Sequence, residues 1–225
     1  MNKTTLMTKV QFSASMMCAD YGHLEREVRL LETAGIDAFH IDIMDGRFVH
    51  NFGMGIHDLN YIRSATDRSI ECHLMIENPV NYIKQFVKLG ADVIYVHPES
   101  EYHSSTTLQA IIDAGATPGI VISPGKMTEG VLELLHVVKR VLVMGVNPGN
   151  AGQIYLPFVD GKIRKLLTLR KEYDFDVFWD GHGSFENVTK FAPLGVSGFV
   201  LGTATLFGKD RSYKEILDEL REHCK

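Results

Sequence analysis

The feature that most constrains this chain is an alternation that runs from end to end. Eight short β-rich runs are separated by segments with helix or turn character. The runs cover residues 10–17, 37–44, 69–76, 92–97, 117–122, 140–146, 175–180 and 197–201. Between them, Leu24, Val28 and Leu31 recur at the spacing of one helix face, and Tyr82, Phe86 and Leu89 do the same. Ala34-Gly35, Leu89-Gly90, Ala114-Gly115 and Leu194-Gly195 fit glycine helix stops just ahead of the next strand. Asn78-Pro79 and Leu156-Pro157 fit helix starts with proline in the first turn. Eight such strands with crossovers predict the α/β class and a (β/α)8 TIM barrel. That fold takes about 250 residues, with about 200 as its lower end. The 225 residues present are therefore expected to form a single barrel domain, 1–225, with no room for a second. A doubly wound sheet uses the same alternation, but it usually places a glycine-rich turn after its first strand. Here the first run leads into Met17-Cys18-Ala19-Asp20-Tyr21, and no GxGxxG occurs anywhere.

Charge and cysteine content narrow the partners. The formal net charge is −5, the reverse of the basic excess that nucleic acid selects. An anionic ligand must then be held locally, by backbone N–H groups, a helix N-terminus or a metal. Cys18, Cys72 and Cys224 form no CxxC pair, which points to a reducing compartment rather than a disulfide framework. The polar stretch 1–12 lacks the apolar core of a secretory signal, and no run of apolar residues is long enough to span a membrane. A soluble cytoplasmic protein with a small-molecule partner is expected, without nucleic acid or membrane. A homo-oligomer is left open.

Chemistry-bearing residues cluster at the ends of these runs. In a strand, alternate side chains share a face. Phe39, Ile41 and Ile43 thus suit the outer, helix-packed face of a barrel strand, and His40, Asp42 and Met44 point inward. His73 and Met75 repeat that placement on the next strand, and Asp180 stands where the seventh run breaks into Gly181-His182-Gly183. The active sites of such barrels lie at this end of the strands. A buried Asp–His hydrogen bond and a capping role for Asp180 are the structural alternatives. Together His40, Asp42, His73 and Asp180 are a candidate set of nitrogen and oxygen ligands. It suits Zn²⁺, Fe²⁺, Mn²⁺ or Co²⁺ better than Mg²⁺. Met44, Met75 and Met144 fall near strand ends on the inward side, as core filler or as a water-excluding ring around an intermediate. Asn147-Pro148-Gly149-Asn150-Ala151-Gly152-Gln153 follows the sixth strand, and Gly202-Thr203 follows the eighth. Barrels of this kind often hold phosphate at the loops after strands seven and eight.

In this order the motifs resemble the ribulose-phosphate 3-epimerase family. They are HIDIMDGxFVxN (His40 to Asn51), CHLM (Cys72 to Met75), NPGxAGQ (Asn147 to Gln153), WDG (Trp179 to Gly181) and GTATLF (Gly202 to Phe207). The resemblance runs from Ser13 to Thr203. It implies a barrel of the ribulose-phosphate-binding type, one divalent metal per subunit without an organic cofactor, and a ketose phosphate inverted at C3. By position it implies His40, Asp42, His73 and Asp180 as metal ligands, and Asp42 and Asp180 as the acid/base pair. Ser15, His73, Met44, Met75 and Met144 would meet the substrate. Gly149, Asn150, Ala151, Gly152, Gly181, His182, Gly202 and Thr203 would hold the phosphate.

Some positions depart from the family's usual forms. Ala14-Ser15 stands for Pro-Ser, Arg47-Phe48-Val49-His50-Asn51 for HFVPN, and Trp179-Asp180-Gly181-His182 for VDGG. Ala151 in the loop, His97-Pro98-Glu99 after the fourth strand, a non-glycine at 182 and Gly202-Thr203 in place of GS look like the allulose-6-phosphate 3-epimerase branch.

The implied reaction removes a proton α to a ketone. A metal on the C2 and C3 oxygens would stabilise the enediolate. One aspartate would take the C3 proton, and the other would return one to the opposite face. Ribulose 5-phosphate and allulose 6-phosphate are both candidate substrates. Two alternatives stand beside this: a sugar-phosphate lyase or decarboxylase, which usually needs a lysine near the chemistry, and a metabolite-binding barrel without activity. No lysine falls at a strand end, and no DxKxxD pattern is present.

Overall fold

In the computed structural model, which describes residues 9–224, each of the eight runs contains one strand. These are β1 (Gln11–Ser15), β2 (Ala38–Met44), β3 (Ser69–Met75), β4 (Val93–Val96), β5 (Thr117–Ile122), β6 (Arg140–Met144), β7 (Asp176–Asp180) and β8 (Gly198–Leu201). Neighbours pair in parallel, and β1 pairs with β8 as well as β2, so the sheet closes into a barrel. Residues 1–8 and 225 of the expected 1–225 domain lie outside the described part. Several strands stop short of the expected end: Met16, Met17, Ile76, His97, Gly145 and Val146 have left the ladder. There the chain is already bending over the top of the barrel.

The α-helices are α1 (Leu24–Ala34), α2 (Ile56–Ala65), α3 (Ile83–Lys88), α4 (Ser104–Ala114), α5 (Asp160–Leu169), α6 (Phe185–Phe191) and α7 (Tyr213–His223). Gly35 (φ 86°) and Gly115 (φ 93°) close α1 and α4 in the left-handed conformation, which a side chain would strain. The two prolines behave slightly differently from expectation. Pro79 and Pro157 begin short 3-10 turns that lead into α3 and α5, not the α-helices themselves. Between β5 and β6 the expected α-helix is replaced by 3-10 turns over Thr128–His136, which carry Gly130 in their middle. Glycine lowers helix propensity there, while Val131 and Leu135 still bury against the barrel.

The alternation within β2 is observed as expected. Phe39, Ile41 and Ile43 belong to the large apolar layer between barrel and helices. The barrel interior is divided. Val93, Tyr95, Val121, Leu142, Met144, Phe178 and Val200 form a packed apolar lumen from β4 to β8. The arc from β1 to β3 instead buries Ser13, Ser15, His40, Asp42, Glu71 and His73. Buried polar groups on this scale need partners, and the strand register supplies them. It sets His40 beside Glu71 and Asp42 beside His73 across the β2–β3 ladder. No helix among the described residues is long and apolar enough to cross a membrane.

Candidate active site

Four side chains from three strands meet at the C-terminal end of the barrel. His73 Nδ1 lies 3.3 Å from Asp42 Oδ1, 3.4 Å from Asp180 Oδ2 and 3.4 Å from His40 Nε2. His40 Nε2 lies 3.5 Å from Asp42 Oδ1 and 3.9 Å from Asp180 Oδ2. One ligand atom from each of the four falls within 4.8 Å of all the others. The two imidazoles present opposite nitrogens, Nε2 from His40 and Nδ1 from His73. Asp42 and Asp180 come from strands separated in the barrel by β8 and β1. The sequence could place each group at a strand end; closure of the barrel brings them together.

The surroundings hold each group in place. Ser15 donates to Asp42 Oδ2 at 2.9 Å. His40 Nδ1 faces Glu71 Oε2 at 3.5 Å, and Glu71 also receives hydrogen bonds from Gln11 and Arg140. Burial opposes a charged His40, yet the Asp42 charge and hydrogen bond, with Glu71 and Asp180 behind them, push the imidazole up to about 10. His73 is likewise raised against its burial by hydrogen bonds to Asp180 and Asp42. Burial would lift Asp42, but the two imidazoles hold it well below the usual carboxylate range. The raised imidazoles and the lowered carboxylate share one cause, the mutual attraction of imidazolium and carboxylate where the four groups converge. Two nitrogen and two oxygen donors in such a field fit a divalent cation of the Zn²⁺, Fe²⁺, Mn²⁺ or Co²⁺ kind.

Above this cluster opens a cavity of about 240 Å³. Its wall includes Ser15, Asp42, Asp180 and all three methionines, Met44, Met75 and Met144. It also includes every residue of the expected phosphate set: Gly149, Asn150, Ala151, Gly152, Gly181, His182, Gly202 and Thr203. His40 and His73 are not part of the wall. Both are fully buried under the floor, so the expected contact of His73 with substrate is not offered by the lining. Met44 and Met75 pack with Val49, and Met144 belongs to the lumen cluster; the methionines thus fill space and line the cavity at once. Among the described residues, the lining contains no lysine and no arginine.

Several contributing residues lie inside the motifs but are assigned no role by the sequence. Asn51 donates through Nδ2 to the Gly149 carbonyl at 2.7 Å, tying the loop after β2 to the loop after β6. Asp45, inside the most conspicuous motif, serves as a brace, accepting from the Arg47, Phe48 and Glu77 backbone N–H groups. Trp179 points away from the cavity. It stacks on Phe191 with centroids 4.9 Å apart and donates to the Gly181 carbonyl at 2.8 Å. Gly145 sits against that anchor: a Cβ there would stand 2.5 Å from both the Trp179 ring and the Gly181 carbonyl. Gly145→Ala is therefore expected to destabilise the fold by about 1–3 kcal/mol, as overpacking does. Urea unfolding checks this, and an unchanged midpoint would contradict the contact.

Fold and site together define a (β/α)8 barrel enzyme with a carboxylate pair over a candidate cation site and a glycine-rich rim suited to an anion. Comparison with known proteins narrows that class. The model of the ribulose-phosphate 3-epimerase family matches residues 11–206. The ribulose-phosphate 3-epimerase of Methanocaldococcus jannaschii is 35% identical over 215 residues, covering 95% of this chain and 90% of its own length. That of Bacillus subtilis is 33% identical, covering 94% and 98%. The chain belongs to the ribulose-phosphate 3-epimerase family and is an isomerase, an epimerase acting on carbohydrates. Solved structures share the fold alone. KGPDC from Streptococcus mutans superposes with a TM-score of 0.71 at 13% identity, over 96% of this chain and 98% of its own. Orotidine 5'-phosphate decarboxylase from Pyrococcus horikoshii gives 0.68 at 11%, over 95% and 99%.

Proposed function

We propose that this single barrel domain is a ketose-phosphate 3-epimerase that uses Asp42 and Asp180 as its two acid/base groups. The observation that carries this is their convergence, from β2 and β7, at the floor of one glycine-rimmed cavity. Asp42, held by Ser15, and Asp180 would stand on opposite faces of C3. One takes the proton as the other, protonated, gives one back, which inverts the centre. His40 and His73, with the two aspartates, would hold one divalent cation. When bound, it supplies Lewis-acid stabilisation of the negative charge that develops on the substrate's C2 and C3 oxygens. The backbone at Gly149–Gly152, Gly181-His182 and Gly202-Thr203 would take the phosphate, because the wall has no lysine or arginine among the described residues. Met44, Met75 and Met144 would keep water from the reacting carbon. A lysine-dependent lyase lacks its lysine in this lining. Three free cysteines fit a cytoplasmic setting.

The names of the sequence relatives make ribulose 5-phosphate the first substrate to test. Ala151, Glu99, His182 and Thr203 favour allulose 6-phosphate as the second. Side-by-side kinetics after loading with defined metals decide between them, and equally poor rates with both would refute the assignment. Product formed in D2O is expected to carry deuterium at C3. Product without it would exclude proton exchange at that carbon.

A further inference from the structure

Beneath the cavity floor, on the side of His73 away from the aspartates, a chain of polar groups that the proposed chemistry does not use runs from the buried His73 to the half-buried Glu99. His73 Nε2 is 2.8 Å from His97 Nε2. His97 Nδ1 is 3.1 Å from Ser123 Oγ, and Ser123 donates to Glu99 Oε1 at 2.6 Å. His73 and His97 are fully buried, with ring centroids 5.0 Å apart and planes 20° from parallel. Lys162 reaches in from α5 to donate to the Ser123 carbonyl at 2.7 Å, fixing the turn that carries the serine.

The proton positions along this chain follow from one condition. If His73 Nδ1 is to offer a lone pair between Asp42 and Asp180, its proton must sit on Nε2. His97 Nε2 must then accept, so the His97 proton sits on Nδ1 and is donated to Ser123. The serine hydroxyl passes its own proton bond to Glu99. Every donor meets an acceptor in this direction only, and Glu99 ends the chain as a carboxylate, which can only accept.

We propose that His97, Ser123 and Glu99 are positioning residues that lock His73 in its Nε2–H tautomer and so aim Nδ1 at the cation position; the proposal rests on the cation reading above. His40 is served differently, by direct contact of Nδ1 with Glu71 at 3.5 Å. Each imidazole of the set therefore has its own carboxylate, the buried Glu71 in direct contact and the half-buried Glu99 relayed through a second histidine. Partners of this kind set ligand orientation and basicity, and losing one typically costs about 10–100-fold in metal affinity.

The test measures Zn²⁺ dissociation constants by competition with a chromophoric chelator, for the wild type, His97→Phe, His97→Gln and Glu99→Gln. Thermal melts confirm folding. His97→Phe, which fills the space without an acceptor, is expected to weaken binding about 10–100-fold. His97→Gln, which keeps one acceptor and one donor, is expected to recover most of the loss. In the zinc-loaded wild type, ¹⁵N spectra of the histidines are expected to show His73 protonated at Nε2 only. A folded His97→Phe that binds zinc as tightly as the wild type overturns the positioning role, as does a His73 protonated at Nδ1. If the core of His97→Phe does not fold, Glu99→Gln carries the same test, with a smaller weakening expected and none overturning it. A wild type that takes up no zinc refutes the cation reading itself, and the positioning role with it.

Discussion

Asp42→Asn and Asp180→Asn are each expected to cut turnover at least about 10³-fold while the barrel stays folded. Loss of a positioned acid/base group alone costs about 10²–10⁴-fold, and each aspartate is also a proposed cation ligand. Asparagine preserves the shape, and at position 42 it can still accept the hydrogen bond from Ser15. It cannot carry a proton to or from carbon. Because the two carboxylates would serve opposite faces, the losses should be non-additive: the double variant should be little worse than either single one. Steady-state kinetics in both directions, beside a thermal melt, measure this. Turnover near wild-type level in either variant would refute the two-base reading.

His40→Ala and His73→Ala are expected to abolish stoichiometric metal binding and activity together. Each imidazole contributes one nitrogen to a set whose ligand atoms lie within 4.8 Å of one another, so removal leaves three donors and a hole in a buried floor. The two variants should differ in stability. His40→Ala leaves Glu71 with only Gln11 and Arg140 to balance its buried charge. His73→Ala leaves His97, a neutral imidazole in its buried setting, with a lost partner. His40→Ala should therefore be the less stable, since a buried charge that loses a partner costs more than a buried neutral group. Metal analysis of purified protein checks the first claim, with exposed His57→Ala as the control. Unchanged stoichiometry in either floor variant would rule out the proposed ligand set.

Much of this site is legible in the sequence. The period-two pattern of Phe39 to Met44 told which side chains enter the barrel, because a strand buried on both faces must still separate helix-facing from lumen-facing groups. The same reasoning placed His73 and Met75, and the glycine breaks after β7 and β8 marked the rim. Other parts were not legible. His97 reads from the sequence as a strand-end group in a supporting or structural role near the site, but its bond to His73 depends on β3 and β4 lying side by side with the register that sets His73 beside Tyr95. Asn51 closes the first motif, but its role appears only when its partner, Gly149, arrives from the loop after β6. The helix between β5 and β6 was implied only by the count of strands and crossovers, and the chain there forms 3-10 turns that include Gly130, a poor helix former.

Alternation, glycine stops and inward-facing polar residues are properties of neighbouring positions, so the sequence alone determined the barrel, its eight strands and the candidate ligands on three of them. Convergence is a property of distant positions. Only closure of β1 onto β8 brought Asp180 of β7 within 3.4 Å of His73 of β3. Only the tertiary packing decided which imidazole nitrogen faces the centre and which carboxylate stands behind each ring, because those choices depend on strand register and ring orientation, on which local periodicity carries no information.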